Sequence, residues 1–441
     1  MDLLSRLKPE NLRRNSADAR RRRTRRGVMK GQFASVYARV RALSQDRTLL
    51  RYFDWPLVAM ALTLSLWGVV SIFAATGSPV DEGTSLSFLQ MLSTQSTRYP
   101  GLQLMWIALG MSAMVMVSLV DYHIMGRFKD LLYWGNIALL ILVKVTTVAG
   151  RGAANMFFQW GSGRTFQPAE VGKIAIIIAL ARVFADREKP VDTVMELFRL
   201  ACYVGLPLAL IVIQPDVGTA LVYVFIFATL IFVSGTNRKL IIGVICLFIV
   251  MIVPLWYFMT YSDSFRVARI QVWLDPNYDI NDSGMQTYNA RLALGSGGLW
   301  GKGLFAVGNF AALNYIPDDH TDVIFAIVCE TFGFAGGALM IGLFFAMVTR
   351  MIVLARRAMD ALGYYVIMGV MAMMLFHIFE NISMVIGLMP VTGIPLPFVS
   401  YGGSSYLTNS VGLGLVLNVT MRSRAGQGTE PRPVANPKKL I

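Results

Sequence analysis

The sequence is poor in charged residues and cysteine, and each shortage argues against a class of protein. Only 15% of the 441 residues are charged, whereas a soluble domain carries about a quarter, so a water-soluble globular fold is not expected. The three cysteines lie in apolar segments without a C-x-x-C spacing, which argues against a disulfide scaffold or a zinc site. No internal repeat supports an inverted-repeat transporter. No apolar core with a cleavage site near the N-terminus predicts a signal peptide.

Long apolar blocks dominate the remaining sequence. Two of them are LVAMALTLSLWGVVSIFAATG, from Leu57, and KLIIGVICLFIVMIVPLWYFM, from Lys239. About 20 apolar residues, at roughly 1.5 Å each, cross the hydrocarbon core of a bilayer as a helix. We therefore predict an all-α polytopic membrane protein with about ten transmembrane helices. The predicted spans are 55–76, 102–120, 131–148, 168–185, 198–213, 217–234, 239–258, 323–349, 363–388 and 406–421.

The distribution of positive charge predicts the orientation of these spans. From a cytoplasmic N-terminus, each predicted inside loop carries Lys or Arg, and an even span count places both termini in the cytoplasm. The organisation is then a tail at 1–53, a transmembrane region at 54–422 and a tail at 423–441. A large extracytoplasmic loop, about 259–322, separates spans 7 and 8, and long loops on rigid scaffolds tend to carry function.

The N-terminal tail holds most of the net charge of +14. Its segment ARRRRTRR at 19–26 has no interleaved aromatic residue and belongs to no recognisable nucleic-acid module, so we predict no nucleic-acid partner. Two interpretations remain open. The tail is either a disordered topology anchor or a segment attracted to anionic membrane lipids.

A cluster of polar residues precedes the eighth span, in IPDDHTDVIF at 316–325. Helix capping by Thr321 or an aspartate would explain one or two of these residues. It does not explain Asp318, Asp319, His320 and Asp322 together, because ionisable groups beside hydrocarbon are costly and mark functional sites. Asp322 is the strongest candidate of the cluster.

A second cluster opens the fourth span, in FQPAEVGKIAIII at 166–178. Glu170 and Lys173 lie three residues apart and so share a helix face. The two residues either neutralise each other, or they keep the lysine cation near the outer mouth of the span. There it would meet a phosphate or carboxylate of the substrate. In QPDVGTAL, at 214–221, Asp216 is interpreted as the structural cap of the next helix.

Two irregular segments complete the candidate site. GSGGLWGKG, at 295–303, carries Lys302 among glycines. The glycines either let backbone N–H groups approach an anion or simply make the segment flexible. The segment is not a Walker A loop. GLMPVTGIPLPFVSYGGSS, at 387–405, is broken by proline and glycine at membrane depth, where irregular backbone must be buried in protein or line a cavity. We expect this segment, including Ser400, to form a wall of the binding site.

Five of these motifs occur in the order seen in one family: FQPAEVGKIA, QPDVGTALV, LGSGGLWGKGL, IPDDHTDVIFAI and GLMPVTGIPLPFVSYGGSS. From about 54 to 422 the chain resembles the SEDS family of shape, elongation, division and sporulation proteins, of the RodA, FtsW and SpoVE type. The resemblance implies a ten-span peptidoglycan glycosyltransferase in the bacterial cytoplasmic membrane. It would polymerise lipid II into nascent glycan strands at the outer face and work with a class B penicillin-binding protein in cell wall biogenesis.

The resemblance also implies roles for single residues. Asp322 matches the essential acid of the family, and Glu170 and Lys173 match its F-Q-P-x-E motif. Asp322 would act as general base, or would hold a divalent cation, Mg²⁺ or Mn²⁺, on the diphosphate. No organic cofactor is expected. His320, Lys302 and Ser400 join Glu170 and Lys173 as substrate-binding candidates.

Two other functions remain open at this stage. A flippase for a lipid-linked precursor would use the same ten spans and broken helices, although the polar clusters lie at one face only. An inactive scaffold for a transpeptidase is the third reading, because Asn155 and Met156 stand where the family usually has Arg-Trp.

Overall fold

The computed structural model shows a helical bundle. The residues that it describes are 52–77, 98–146, 158–159, 165–214, 216–243, 265–275, 277–280, 284–306, 309–310 and 320–426. The helices are α1 (Trp55–Thr76), α2 (Arg98–Leu119), α3 (Tyr122–Arg127), α4 (Lys129–Thr146), α5 (Pro168–Ala185), α6 (Val194–Ile213), α7 (Val217–Val233), α8 (Phe265–Leu274), α9 (Met285–Ser296), α10 (Ile324–Arg356), α11 (Ala361–Ile386) and α12 (Gly403–Gly426). Two short antiparallel strands, β1 (Phe158–Gln159) and β2 (Thr165–Phe166), precede α5.

The prediction of an all-α, multi-pass membrane protein is confirmed. Within the described residues, five helices are long and apolar enough to cross a membrane: α1, α2, α6, α10 and α11. Every predicted span other than 239–258 coincides with a helix, and α7 is an apolar helix of shorter length. The predicted seventh span lies largely outside the described residues, so the count of ten stays a prediction.

The predicted tails are only partly described. Residues 1–51 and 427–441 lie outside the described part of the chain, and α12 continues to Gly426. Much of the predicted loop at 259–322 also lies outside it. The two helices that are described within this loop are α8 and α9.

Several helix ends are fixed by aspartate caps, which set where the chain turns. The Asp54 carboxylate accepts a hydrogen bond from the Leu57 amide, and Asp360 accepts one from the Gly363 amide. Such bonds satisfy amides at a helix start that have no partner within the helix. At the other end of α11, Gly387 adopts a left-handed conformation with φ 86° and closes the helix.

Small residues allow close packing between α2 and α12. A Cβ added to Gly414 would lie 2.6 Å from the Met114 carbonyl oxygen, which is too close for any real side chain. Helices in a bilayer associate through such close van der Waals packing because lipid is as apolar as their own side chains.

A helix and glycine loop, residues 285–303, pack along the first turns of α10. The Lys302 amide donates to the Glu330 carbonyl oxygen at 2.9 Å, and the Phe334 amide donates to the Gly298 carbonyl oxygen at 2.9 Å. This pairing interrupts α10 at Gly333, whose φ of 70° and ψ of −170° are not helical. Gly297 and Gly301 therefore allow the loop backbone to approach α10 closely.

Candidate functional site

Most of the candidate residues meet at one end of the bundle. The starts of α5, α7, α10 and α12 lie at one end of the bundle, together with the close of α11. Contacts between distant segments confirm this arrangement. The Gln167 amide donates to Ser404 Oγ at 3.1 Å, and Gln167 Nε2 donates to the Asp216 carboxylate at 2.6 Å.

Asp322 lies just before α10, half-buried against the segment 387–402. Its carbonyl oxygen accepts a hydrogen bond from Asn381 Nδ2 at 2.6 Å, and the same amide group binds the Ile394 carbonyl at 2.7 Å. Its carboxylate oxygen Oδ2 lies 3.3 Å from the point where a Cβ on Gly393 would stand. A glycine at this position therefore allows the carboxylate to lie close to residues 387–405, the predicted wall segment.

The capping interpretation of this cluster is not supported at the start of α10. The N-cap residue of the helix is Val323, which makes no side-chain capping bond. The Asp322 carboxylate instead interacts electrostatically with Arg269 of α8 and with Glu380 of α11. Two separate helices thus place ionisable groups beside Asp322, the strongest candidate from the sequence.

Arg269 is a residue of this site that the sequence analysis did not identify. Its guanidinium donates to the Val391 carbonyl oxygen at 3.2 Å, which joins α8 to the wall segment. Burial lowers the pKa of Arg269, and the nearby Asp322 carboxylate opposes that effect. Arg269 and Val391 are far apart in the sequence, and no residue spacing relates them. A local sequence pattern therefore could not have identified their contact.

The Glu170–Lys173 pair is fully enclosed. Lys173 is 0% exposed and Glu170 is 4% exposed. Lys173 Nζ lies 2.5 Å from Glu170 Oε1 and 2.9 Å from Nε2 of His377 on α11. The structure therefore brings the two predicted residues together and adds a histidine that was not among the candidates.

Glu380 lies one helical turn beyond His377 and is also fully buried. It accepts a short hydrogen bond from the Thr392 hydroxyl in the wall segment. Ionisable residues inside an apolar span are functional candidates by default. By that rule, the sequence alone could have added His377 and Glu380 to the predicted site.

Of the other candidates, His320 lies two residues before Asp322, and Ser400 lies in the predicted wall segment. The His320 ring packs against Tyr99, with ring centroids 4.5 Å apart, and its carbonyl oxygen accepts from the Tyr401 amide at 3.0 Å. Ser400 is 4% exposed, and its hydroxyl accepts a hydrogen bond from the Leu396 amide at 2.8 Å. Ser400 therefore holds a turn, and its role in substrate binding stays a prediction.

Lys302 forms a separate polar group with Glu330, about two turns further along α10. Lys302 Nζ lies 3.0 Å from Glu330 Oε1, which also accepts a hydrogen bond from the Phe310 amide at 2.8 Å. In the described part of the chain, the Glu330 contacts of Lys302 therefore lie further along α10 than Asp322. Asp216 caps α7 through the Thr219 amide at 3.0 Å, which confirms its structural interpretation.

Four of the residues discussed from sequence cannot be placed. Asp318, Asp319, Asn155 and Met156 lie outside the described residues. Within the described part of the chain, no group of three or more His, Cys, Asp or Glu side chains could hold a metal ion. A cation at Asp322 would therefore need substrate oxygens and water to complete its coordination.

Comparison with known proteins agrees with this architecture. The chain is 31% identical over 373 residues to a probable peptidoglycan glycosyltransferase FtsW of Geobacter sp. (strain M18), covering 84% of this chain and 98% of that one. It is 33% identical over 377 residues to stage V sporulation protein E of Bacillus subtilis (strain 168), again with coverage of 84% and 98%.

A solved structure has the same fold. A chain of a peptidoglycan synthase complex that coordinates polymerization and crosslinking matches with a TM-score of 0.67 and 25% identity, covering 84% of this chain and 98% of that chain. The family model of FtsW, RodA and SpoVE, described as cell cycle protein, matches residues 57–425. The chain belongs to the FtsW/RodA/SpoVE family of cell cycle proteins.

Proposed function

We propose that this protein is a peptidoglycan glycosyltransferase that polymerises lipid II into glycan strands. The observation that carries the proposal is the half-buried Asp322 carboxylate, held beside Gly393 and surrounded by Arg269 and Glu380. Relatives named for this activity match 84% of the chain. A carboxylate with such neighbours at the mouth of a membrane bundle suits a substrate with a lipid tail and an anionic head.

The reaction is a displacement at a sugar carbon. The 4-hydroxyl of the acceptor sugar attacks the anomeric carbon of the lipid-linked donor strand. Asp322 takes the hydroxyl proton as general base, the new glycosidic bond forms, and the bond from the anomeric carbon to the diphosphate oxygen breaks. The electron pair leaves with the lipid diphosphate.

Positive groups at the same end would balance the charge that develops on the diphosphate. Arg269 lies within electrostatic reach of Asp322. The Lys173 ammonium is fully buried, so its contact with the diphosphate requires that the site opens when substrate binds. A binding role for Lys302 rests on its position in the glycine loop, where it pairs with Glu330.

A divalent cation, Mg²⁺ or Mn²⁺, is part of the proposal. Magnesium is commonly held by one or two carboxylates together with substrate phosphates. The carboxylate of Asp322 fits that mode, whereas the described residues contain no closed metal cage. When bound, the ion would neutralise diphosphate charge.

The proposed location is the bacterial cytoplasmic membrane, with the Asp322 end outside and both termini inside. The opposite end of the bundle supports this orientation. It carries Arg350, Arg357, Arg422 and Arg424, as expected for a cytoplasmic face. The proposed partner is a class B penicillin-binding protein, and the solved synthase complex supports it.

The test is a polymerisation assay with purified protein in detergent, labelled lipid II and Mg²⁺ or Mn²⁺. The reaction is run with and without the partner, whose own glycosyltransferase site, if it has one, is inactivated. Wild type should produce long glycan strands and Asp322→Asn should produce none. Asp186→Asn is the matched control, because this exposed carboxylate pairs with Arg182 at the other end of α5.

Two results would contradict the proposal. Strands made by Asp322→Asn at the wild-type rate would remove Asp322 from the reaction. Without strand growth from wild type, even with the partner, the glycosyltransferase proposal would fail. If labelled lipid II then crossed a liposome membrane, the protein would be identified as a flippase. If the protein showed neither strand growth nor lipid transport, it would be identified as a scaffold.

A further inference from the structure

We propose that His377 is a positioning residue that fixes the Lys173 ammonium by accepting a hydrogen bond from it. The inference rests on the glycosyltransferase function proposed above and adds a residue to its machinery. It begins from the 2.9 Å contact between Lys173 Nζ and His377 Nε2, deep between α5 and α11.

The chemistry of the two groups decides which one donates. A lysine ammonium has three N–H donors and no acceptor. His377 Nε2 must therefore accept, so the imidazole is neutral and carries its proton on Nδ1. The histidine adds no charge to the site, and its effect on Lys173 is geometric.

Glu170 already neutralises the lysine. Its Oε1 lies 2.5 Å from Lys173 Nζ, and the lysine is 0% exposed. With Glu170 and His377 as acceptors, two of the three N–H groups are used and the direction of the third is set. A lysine bound by Glu170 alone would rotate about that single bond, because its four-carbon stem is flexible.

Among the described residues, the buried histidine makes no other polar contact that would explain its burial. His377 is 0% exposed, and its Nδ1 has no hydrogen-bond partner among the described residues. Burying a polar ring costs free energy unless it gains a hydrogen bond. Within the described structure that bond is the one from Lys173.

The same helix connects the lysine to the reacting end. Asn381, one turn beyond His377, holds the carbonyl oxygens of Asp322 and Ile394. Since four residues of helix rise about 6 Å, α11 sets the spacing between the lysine and the proposed general base. His377 thus ties Lys173 to the element that positions Asp322.

The experiment compares His377→Gln, His377→Leu and His377→Met with wild type in the full-length protein. Glutamine carries an oxygen acceptor at a similar reach, whereas leucine and methionine carry no comparable acceptor. Polymerisation kcat and KM are measured with lipid II, together with the melting temperature in detergent. Met373→Leu, a volume-conserving change one turn away in the same buried face, is the control.

We expect kcat to fall about tenfold or more in His377→Leu and His377→Met, which matches the loss of one charge-assisted hydrogen bond. His377→Gln should retain kcat within about threefold of wild type. KM should change little in all three, because the lost interaction acts on the reacting complex. Lys173→Met should lose kcat at least as severely as His377→Leu.

Distinct outcomes separate the two proposals. Wild-type kcat in His377→Leu and His377→Met, with Lys173→Met impaired, would overturn the positioning role and leave the glycosyltransferase function intact. Equal losses in the glutamine and leucine variants at unchanged melting temperature would also overturn it, because an acceptor alone would not suffice. If the wild-type protein made no strands, the proposed glycosyltransferase function itself would be contradicted.

Discussion

A single buried carboxylate, Glu330, adds side-chain contacts to the backbone pairing that holds the glycine loop on α10. Glu330 is 1% exposed and receives the Lys302 ammonium, the Phe310 amide and, at 3.4 Å, the Ser296 hydroxyl. These donors come from the end of α9 and from the segment that follows it. One acceptor on α10 thus fixes several separate points of the chain.

We expect Glu330→Ala to destabilise the protein by about 1–3 kcal/mol, because part-buried donors would lose their buried acceptor. The measurement is the free energy of unfolding, or the melting temperature, in the same detergent. Glu188→Ala is the control because Glu188 is an exposed glutamate. If the Glu330→Ala protein had the same melting temperature as wild type, Glu330 would not be the residue that holds this loop.

The same pair shows what residue-level reasoning can and cannot predict. The sequence identifies Lys302 as the one cation of the glycine loop, but its partner lies 28 residues further along the chain. Burial and pairing depend on tertiary contacts that no local pattern encodes. The Glu170–Lys173 pair was predicted because its three-residue spacing is itself local.

At the scale of elements, apolar length predicted most helices, because a helix must satisfy its own backbone in lipid. The break in α10 was not predicted. Gly333 reads as an ordinary glycine within a long apolar run, yet its φ of 70° and ψ of −170° interrupt the helix. The cause is the loop at 297–303, whose backbone donates to and accepts from α10 on both sides of the break.

We expect Gly333→Ala to destabilise the protein by about 1–3 kcal/mol from backbone strain alone, because this conformation is nearly exclusive to glycine. A Cβ there would also lie 2.3 Å from the Gly301 amide nitrogen. Gly342→Ala on the same helix is the matched control, since a Cβ at that position meets nothing within 4 Å. Thermal unfolding in detergent measures both, and equal melting temperatures would contradict the role of Gly333.

At the scale of the whole molecule, polar groups concentrate at the two ends of the bundle for different reasons. The Asp322 end gathers groups whose arrangement suits a reaction. At the opposite end, Asp54 joins the start of α1 to Arg350 and Arg424, with distances of 2.7 and 2.6 Å. That end therefore ties helices together through ion pairs.

His123 of α3 forms a second set of ion pairs at this end of the bundle. Its Nδ1 lies 2.9 Å from Asp121 and its Nε2 lies 3.0 Å from Asp360, which caps α11. The hydrogen bonds to Asp121 and then Asp360 raise the pKa of His123 to about 9, against the opposing effect of burial. Burial raises the pKa of Asp121, but the His123 hydrogen bonds and the charges of Arg422 and His123 together lower that pKa to about 2.

These shifts predict how stability depends on pH. Because the folded pKa of His123 lies above its ordinary value of 6.5, its contribution is complete below about pH 6.5 and is lost as pH rises through about 9. The Asp121 contribution is complete above its ordinary value of 3.8 and is lost only as pH falls through about 2. Of these two groups, only His123 should therefore change the stability between pH 6.5 and 9.

We expect the melting temperature of wild type to exceed that of His123→Gln at pH 6 and the difference to shrink steadily toward pH 10. Subtracting the two curves removes titrations that both proteins share. About half of the His123 side chain is exposed, so solvent screening makes the effect modest. A difference that stayed constant from pH 6 to pH 10 would show that the charge of His123 does not stabilise the junction between α3 and α11.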